Sequence, residues 1–130
     1  MGDSKKTVVV VDDNATVRAL FERSTEDLTL DLISFSSAEA AMEYLGENKP
    51  DLLFLDIIMP DKDGLTFLSE LRKLPLHRDT AVIMITSKDY AQDRTVANEL
   101  GALDFIIKPM PMRAITDIIT NYINKENPYN

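Results

Sequence analysis

Apolar residues along this chain fall into short blocks divided by polar turns, and two kinds of block alternate. Thr7 followed by Val8-Val9-Val10-Val11 is apolar on both faces, which predicts a strand inside a sheet, covered on both sides. Leu52-Leu53-Phe54-Leu55 and Ala81-Val82-Ile83-Met84-Ile85 predict two more buried strands. Leu30, Leu32, Ile33 and Phe35 mark a less regular strand, and Leu103 to Ile107 a short last one. The blocks between them carry helical spacing. Val17, Leu20 and Phe21 share one face, and Ala38, Ala41, Met42 and Leu45 follow i, i+3, i+4, i+7. Leu65, Leu68 and Leu71 predict a third helix, and Tyr90 to Leu100 a fourth. Ile115, Ile118, Ile119, Tyr122 and Ile123 give the cleanest amphipathic pattern.

Turn and cap residues bound these blocks. Ser36 with Glu39 three positions on matches a capping box, and Gly46 suits the C′ position at the other end of that helix. Asp61-Lys62-Asp63-Gly64 opens the third helix, Gly101 ends the fourth, and Lys108-Pro109 stops the fifth strand. The strand–helix unit thus occurs five times with no internal repeat and no linker. Alternation of this kind implies an α/β fold with a parallel sheet and helices on both faces. Right-handed crossovers leave few topologies, and five units favour the doubly wound, flavodoxin-like order 2-1-3-4-5. Ligands bind such sheets beyond the carboxyl ends of the strands. There the sequence places Asp12 and Asp13, Asp56, Thr86 and Ser87, and Lys108.

Composition narrows the chemistry. At 130 residues one domain is expected. The formal net charge of -8 argues against nucleic acid or an anionic membrane as direct partner. It suits a partner with basic patches, or a site that holds a cation. No cysteine is present, so thiolate metal sites are excluded, and the single His77 excludes a multi-histidine site. No apolar run has the length of a membrane span, and Met1 to Lys6 lacks a secretory apolar core, so the expected location is cytoplasmic.

Asp56 is the residue that needs explaining. An apolar run delivers it, and an isolated buried carboxylate is too costly to stand without a partner or a purpose. Three carboxylates converging with Asp12 and Asp13 would raise one another's pKa unless a cation sat among them. Magnesium fits an all-oxygen donor set. Asp56 could then act as a nucleophile that forms an aspartyl-phosphate, with Lys108 as a flexible point charge on a phosphate oxygen and the Thr86 hydroxyl donating to another. Each element alone is weak. An Asp pair after a strand is often a cap cluster, Thr there is commonly turn chemistry, and Lys-Pro is a common surface dipeptide. Their conjunction at four strand ends is the specific signal.

These motifs are Val8 to Asp13, Leu55-Asp56-Ile57-Ile58-Met59-Pro60 through Gly64, Ile85-Thr86-Ser87 and Lys108-Pro109. Asp56 and Thr86 are 30 residues apart, and Thr86 and Lys108 are 22 apart. From Thr7 to about Ile123 the chain resembles the receiver domain of two-component response regulators, in particular single receivers of the chemotaxis type. The resemblance implies a receiver domain over 7–124, between a flexible N-terminus at 1–6 and a flexible tail at 125–130. It implies that Asp56 accepts a phosphoryl group from a histidine kinase or a histidine phosphotransfer protein. Asp13 would ligate Mg2+ directly, Asp12 mostly through a metal-bound water, and the Ile58 main-chain carbonyl would be a further ligand, with Mn2+ a possible substitute. Thr86 would move toward the phosphoryl group, Lys108 would pair with it, and the Lys108–Pro109 bond would be cis.

The same resemblance makes Phe105 the switch aromatic, where many relatives carry Tyr. It makes the surface of helix 4, strand 5 and helix 5, with Gln92, Arg94, Thr95, Asn98 and Glu99, the face that meets a downstream protein or fused output domain. Such a chain assists its own phosphorylation and dephosphorylation but is not a conventional enzyme. Ile58 and Lys88, two residues after Asp56 and Thr86, cannot align an attacking water as a polar pair would, so slow self-dephosphorylation is expected. Ser87 is small and leaves the phosphoryl path open. A phosphatase of the haloacid-dehalogenase type would need a second acid where Ile58 stands. A flavin or nucleotide binder would need a glycine-rich loop, and the four glycines form none. A degenerate receiver working only as an interaction module is opposed by the intact Asp12, Asp13, Asp56, Thr86 and Lys108 set. A stand-alone regulator and a receiver within a longer protein fit the sequence equally.

Overall fold

The four valines enter the structure fully buried because their strand has a neighbour on either side and helices above and below. In the computed structural model, which describes residues 5–124, the chain alternates strand and helix throughout. The elements are β1 (Lys6–Val11), α1 (Ala15–Thr25), β2 (Leu30–Phe35), α2 (Ala38–Leu45), β3 (Leu52–Asp56) and α3 (Gly64–Arg72). After a 3-10 turn at Pro75–His77 come β4 (Val82–Thr86), α4 (Ala91–Glu99), β5 (Asp104–Ile107) and α5 (Met112–Ile123). All neighbouring strands are parallel, in the order β2-β1-β3-β4-β5, as the alternation predicts.

Side chains leave a strand on alternate faces, so the sheet divides the core in two. Val9, Val11, Leu53, Leu55, Val82 and Met84 face Ala41 and Leu45 of α2 and Phe67, Leu68 and Leu71 of α3. Val8, Val10, Leu52, Phe54, Ile83 and Ile85 face Phe21 of α1 and Ile115 and Ile119 of α5. Phe21 meets Phe54 edge to face at 4.8 Å between ring centroids, worth about 0.5–1.5 kcal/mol beyond the area it buries.

Several boundaries differ from the sequence reading. Ser37, not Ser36, is the N-cap of α2, with its hydroxyl accepting from the Ala40 N–H at 3.1 Å. Glu39 does not close a capping box there. The Asp61 carboxylate, from the loop between β3 and α3, instead accepts from Ala38 N–H at 3.3 Å and Glu39 N–H at 3.2 Å. A partner more than twenty positions away satisfies donors that a local cap would have satisfied. Gly46 stays right-handed at φ -58, whereas Gly101 takes the left-handed conformation at φ 81 and ends α4. Phe67 joins Leu68 and Leu71 inside, while Leu65 is only partly buried. β5 begins at Asp104, leaving Leu103 exposed, and β1 begins at Lys6, which pairs with Leu30. The expected flexibility of 1–4 and 125–130 lies outside the described residues.

The amino edge of the sheet is closed by a polar node. Arg72, the last residue of α3, donates from Nε to the Leu100 carbonyl at 2.7 Å and from Nη1 to the His77 carbonyl at 2.8 Å. His77 is fully buried, with Nε2 2.6 Å from the Leu45 carbonyl and Nδ1 2.7 Å from the Thr80 hydroxyl. A carbonyl can only accept, so Nε2 donates to Leu45, while the Thr80 hydroxyl can serve Nδ1 in either direction.

Candidate functional site at the carboxyl edge

Register brings the candidate residues to one level. Val11 pairs with Leu55 and Asp56 with Ile85, so Asp12, Asp56 and Thr86 leave three adjacent strands together. Thr86 pairs with Ile107, which puts Lys108 one step beyond on β5. Gly64 lets α3 start against the end of β3. Its N–H donates to the Ile57 carbonyl at 2.7 Å, and a Cβ on it would stand 2.1 Å from the Asp56 carbonyl oxygen. No side chain fits there. Asp63 caps α3 by accepting from Leu65 and Thr66 N–H, which turns the chain away and leaves the pocket mouth open.

The pocket is short of positive charge. Asp12 is fully buried, Asp56 is 2% exposed, and Asp13 stands at the exposed rim. Asp12 Oδ1 accepts from Asn14 N–H at 2.9 Å. Lys108 Nζ lies 2.9 Å from Asp12 Oδ2 and 3.4 Å from Asp56 Oδ1. Asp12 Oδ2 is buried, with no neutral hydrogen-bond donor on it and only this ammonium close by. Burial pushes the Asp56 carboxyl up to about 6, the Asp12 charge adds to this, and Lys108 pulls the other way without prevailing. Burial also works against the Lys108 charge, but its contact with Asp12 and the charges of Asp12 and Asp56 outweigh it, holding the ammonium above its ordinary pKa.

One ammonium thus contacts two of three carboxylates that each offer an oxygen within 4.8 Å of the others. Asp12, Asp13 and Asp56 are a hard, all-oxygen donor set, and the buried Asp12 Oδ2 has only the Lys108 ammonium, shared with Asp56, against it. These residues fit a small divalent cation of the magnesium kind.

The other expected residues lie as follows. Thr86 is buried at the end of β4, but its hydroxyl is turned to the Lys88 main chain, donating to the carbonyl at 2.9 Å and accepting from the N–H at 3.0 Å. Ile58 follows β3 with its side chain 51% exposed. Phe105 is not in the pocket. It is partly buried on β5 beneath the Arg94 guanidinium, 4.7 Å from the ring centroid, and Arg94 is itself held by two bonds to Asp89. The Lys108–Pro109 bond is cis.

Two residues escaped the sequence reading. Arg18 donates from Nη1 to the Asp12 carbonyl at 2.7 Å, and Asp61 ties the loop after β3 to the start of α2. The signal for Arg18 was its place four residues after the Asn14 cap, one turn along α1 and back above the strand end.

The chain is thus a doubly wound α/β domain with an acidic pocket and a lysine at the carboxyl edge of its sheet. The comparisons name the family. The profile of the response regulator receiver domain matches residues 8–120, and the chain belongs to that family of two-component systems. It is 35% identical over 118 residues to the cyclic di-GMP phosphodiesterase response regulator RpfG of Xanthomonas campestris pv. campestris, covering 89% of this chain and 31% of that protein. It is 34% identical to the alkaline phosphatase synthesis transcriptional regulatory protein PhoP of Bacillus subtilis, covering 85% of this chain and 45% of that one. The chain therefore spans less than half the length of these two relatives. The fold matches a CheY-like receiver domain from Methanospirillum hungatei with a TM-score of 0.87 at 20% identity, covering 98% of this chain and 100% of that one. Among the described residues no helix is long and apolar enough to cross a membrane.

Proposed function

We propose that this chain is a phosphorylation-dependent switch whose phosphoacceptor is Asp56, charged by a histidine kinase or a histidine phosphotransfer protein. The observation that carries the reading is the Asp56 carboxylate itself, nearly buried beside Lys108 at 3.4 Å with Asp12 and Asp13 at the same strand ends. Its pKa near 6 keeps it mostly ionised at neutral pH, the form a nucleophile needs. One carboxylate oxygen attacks phosphorus as the phosphorus–nitrogen bond of the donor phosphohistidine breaks, and the histidine nitrogen keeps the electron pair. Asp12, Asp13, Asp56 and the Ile58 carbonyl would hold Mg2+, with Mn2+ as a substitute. That ion, when bound, supplies the positive charge that lets phosphoryl oxygens approach an acidic pocket.

Lys108 then meets the phosphoryl oxygens, trading its contact with Asp56 for one with the added group. Phosphorylation adds about 1.5 to 2 negative charges. The Thr86 hydroxyl answers by leaving the Lys88 main chain, and Phe105 follows on the surface of α4, β5 and α5, where a downstream protein or fused output domain reads the state. Residues 7–124 form the receiver unit in this reading. Its action is cytoplasmic, and it needs neither nucleic acid nor membrane as a direct partner.

Ile58 and Lys88 set the lifetime. An exposed apolar side chain and a lysine at the pocket mouth offer no carbonyl or carboxylate to align an attacking water, so the phosphoryl group on Asp56 is long-lived. Phosphate release with a half-life of seconds would contradict this. The switch itself is tested by intact mass after incubation with Mg2+ and acetyl phosphate. A single phosphate adduct is expected, lost in Asp56→Asn and on adding EDTA. No adduct on the unaltered chain would point to a module that binds partners without phosphorylation.

A further inference from the structure

The two acidic residues at the end of β1 differ in how they are held. Asp12 is fixed at its N–H, which donates to the Phe35 carbonyl at 3.1 Å, and at Oδ1, which accepts from Asn14 N–H. Asp13 is exposed, and among the described residues nothing hydrogen-bonds its carboxylate. The one fixed part of its direction, the Cα–Cβ bond, is therefore set by the backbone that carries it. The peptide unit joining Asp12 to Asp13 ends in the Asp12 carbonyl, and Arg18 Nη1 donates to that oxygen at 2.7 Å. Holding this carbonyl fixes ψ of Asp12 and φ of Asp13 together.

We infer that Arg18 is a positioning residue for the cation site, clamping the Asp12–Asp13 peptide plane so that both carboxylates converge on one ion. The inference rests on the receiver reading and adds to it a residue that touches neither the ion nor the phosphoryl group. Three features support the assignment. The bond is short and charge-assisted, and Arg18 is part-buried, so water competes weakly for it. A guanidinium also presents planar, directional N–H donors, which suit holding one carbonyl in one orientation. Arg18 also sits on the first turns of α1 while Asp12 directly follows β1, so the clamp ties the cation loop to the helix that follows it. Removing a group that orients a metal ligand commonly costs 10- to 100-fold in metal affinity.

The test is calorimetric titration of the full chain with Mg2+, beside acetyl phosphate adduct rates across Mg2+ concentrations. Arg18→Met should weaken Mg2+ binding about tenfold. The adduct rate at saturating Mg2+ should stay within about twofold of the unaltered chain. Arg18→Lys, which restores a charged donor on a long stem, should recover part of the lost affinity. Should Arg18→Met fail to give a native circular dichroism spectrum, Arg18→Gln, too short to reach the same carbonyl, replaces it with the same expectation. Unchanged Mg2+ affinity in a folded variant would overturn the inference. So would a loss of rate that saturating Mg2+ does not restore, since Arg18 would then act on the transfer itself. If the unaltered chain binds no Mg2+, the proposed Mg2+-dependent switch falls first and this inference with it, a result distinct from Mg2+ binding that is indifferent to Arg18.

Discussion

The sheet has a buried polar cluster at each edge, and the two are built to opposite rules. At the amino edge, His77 has partners on both ring nitrogens, and the Arg72 guanidinium donates to the Leu100 and His77 carbonyls. At the carboxyl edge, Asp12 Oδ2 is buried against the Lys108 ammonium alone, Asp56 is lifted to about 6, and that one lysine is divided between two of three clustered carboxylates. Both clusters are fixed by the same parallel strands and neighbouring helices. What separates them is satisfaction. A complete polar cluster rigidifies a fold, whereas an incomplete one stores a cost that a ligand can relieve. The carboxyl edge is therefore where an incoming cation or phosphoryl group has free energy to act on.

Substitutions at the two edges should move stability in opposite directions, except where backbone packing is involved. The largest expected effect is at Gly64, where the pocket floor is as tight as any core. Gly64→Ala forces the start of α3 away from the Asp56 carbonyl and should cost roughly 3–5 kcal/mol in urea unfolding. His77→Ala breaks the complete cluster, stranding the Leu45 carbonyl and the Thr80 hydroxyl and leaving a cavity. It should cost roughly 2–4 kcal/mol while the folded fraction still takes up phosphate.

Asp56→Asn should do the reverse. The Asp56 carboxyl titrates near 6 in the folded chain and near 3.8 when unfolded, so between these values the folded state holds more protons. Stability therefore falls as pH rises through that window, by up to about 3 kcal/mol at pH 7. In the absence of divalent cations Asp56→Asn should recover up to that amount at pH 7, and the advantage should vanish below about pH 4. Denaturation midpoints of both chains across pH 3.5–7.5 measure the difference directly. The smallest effect is expected at Arg94→Ala. An exposed cation–π contact and ion pair hold Phe105, so the change should be seen as faster Phe105 ring motion by NMR, an effect that shrinks with added salt.

The contrast between the edges also explains what could be read from the sequence. β1, β3 and β4 announced themselves because a strand buried on both faces must be apolar at successive positions. Their carboxyl ends followed, since Asp12, Asp56 and Thr86 each close such a run. The residues that escaped act across the fold. Asp61 takes over the cap expected of Ser36, Arg72 reaches α4 from α3, and His77 bridges to Leu45. Nothing local distinguishes a serine that caps from its neighbour when a distant carboxylate decides which N–H groups remain free. Thr86 was legible as a strand-end hydroxyl, but its engagement with Lys88 depends on the turn after β4, which the sequence pattern left open.

Urea unfolding of the unaltered chain and of Asp56→Asn, each with and without Mg2+ at pH 7, tests the incomplete pocket most directly. Without Mg2+, Asp56→Asn should be the more stable of the two. Added Mg2+ should raise the midpoint of the unaltered chain and that of Asp56→Asn far less, because the ion relieves a repulsion the asparagine has already removed. An unaltered chain whose midpoint ignores Mg2+, and which is no less stable than Asp56→Asn without it, would contradict the claim that this pocket holds unsatisfied charge for a cation and a phosphoryl group.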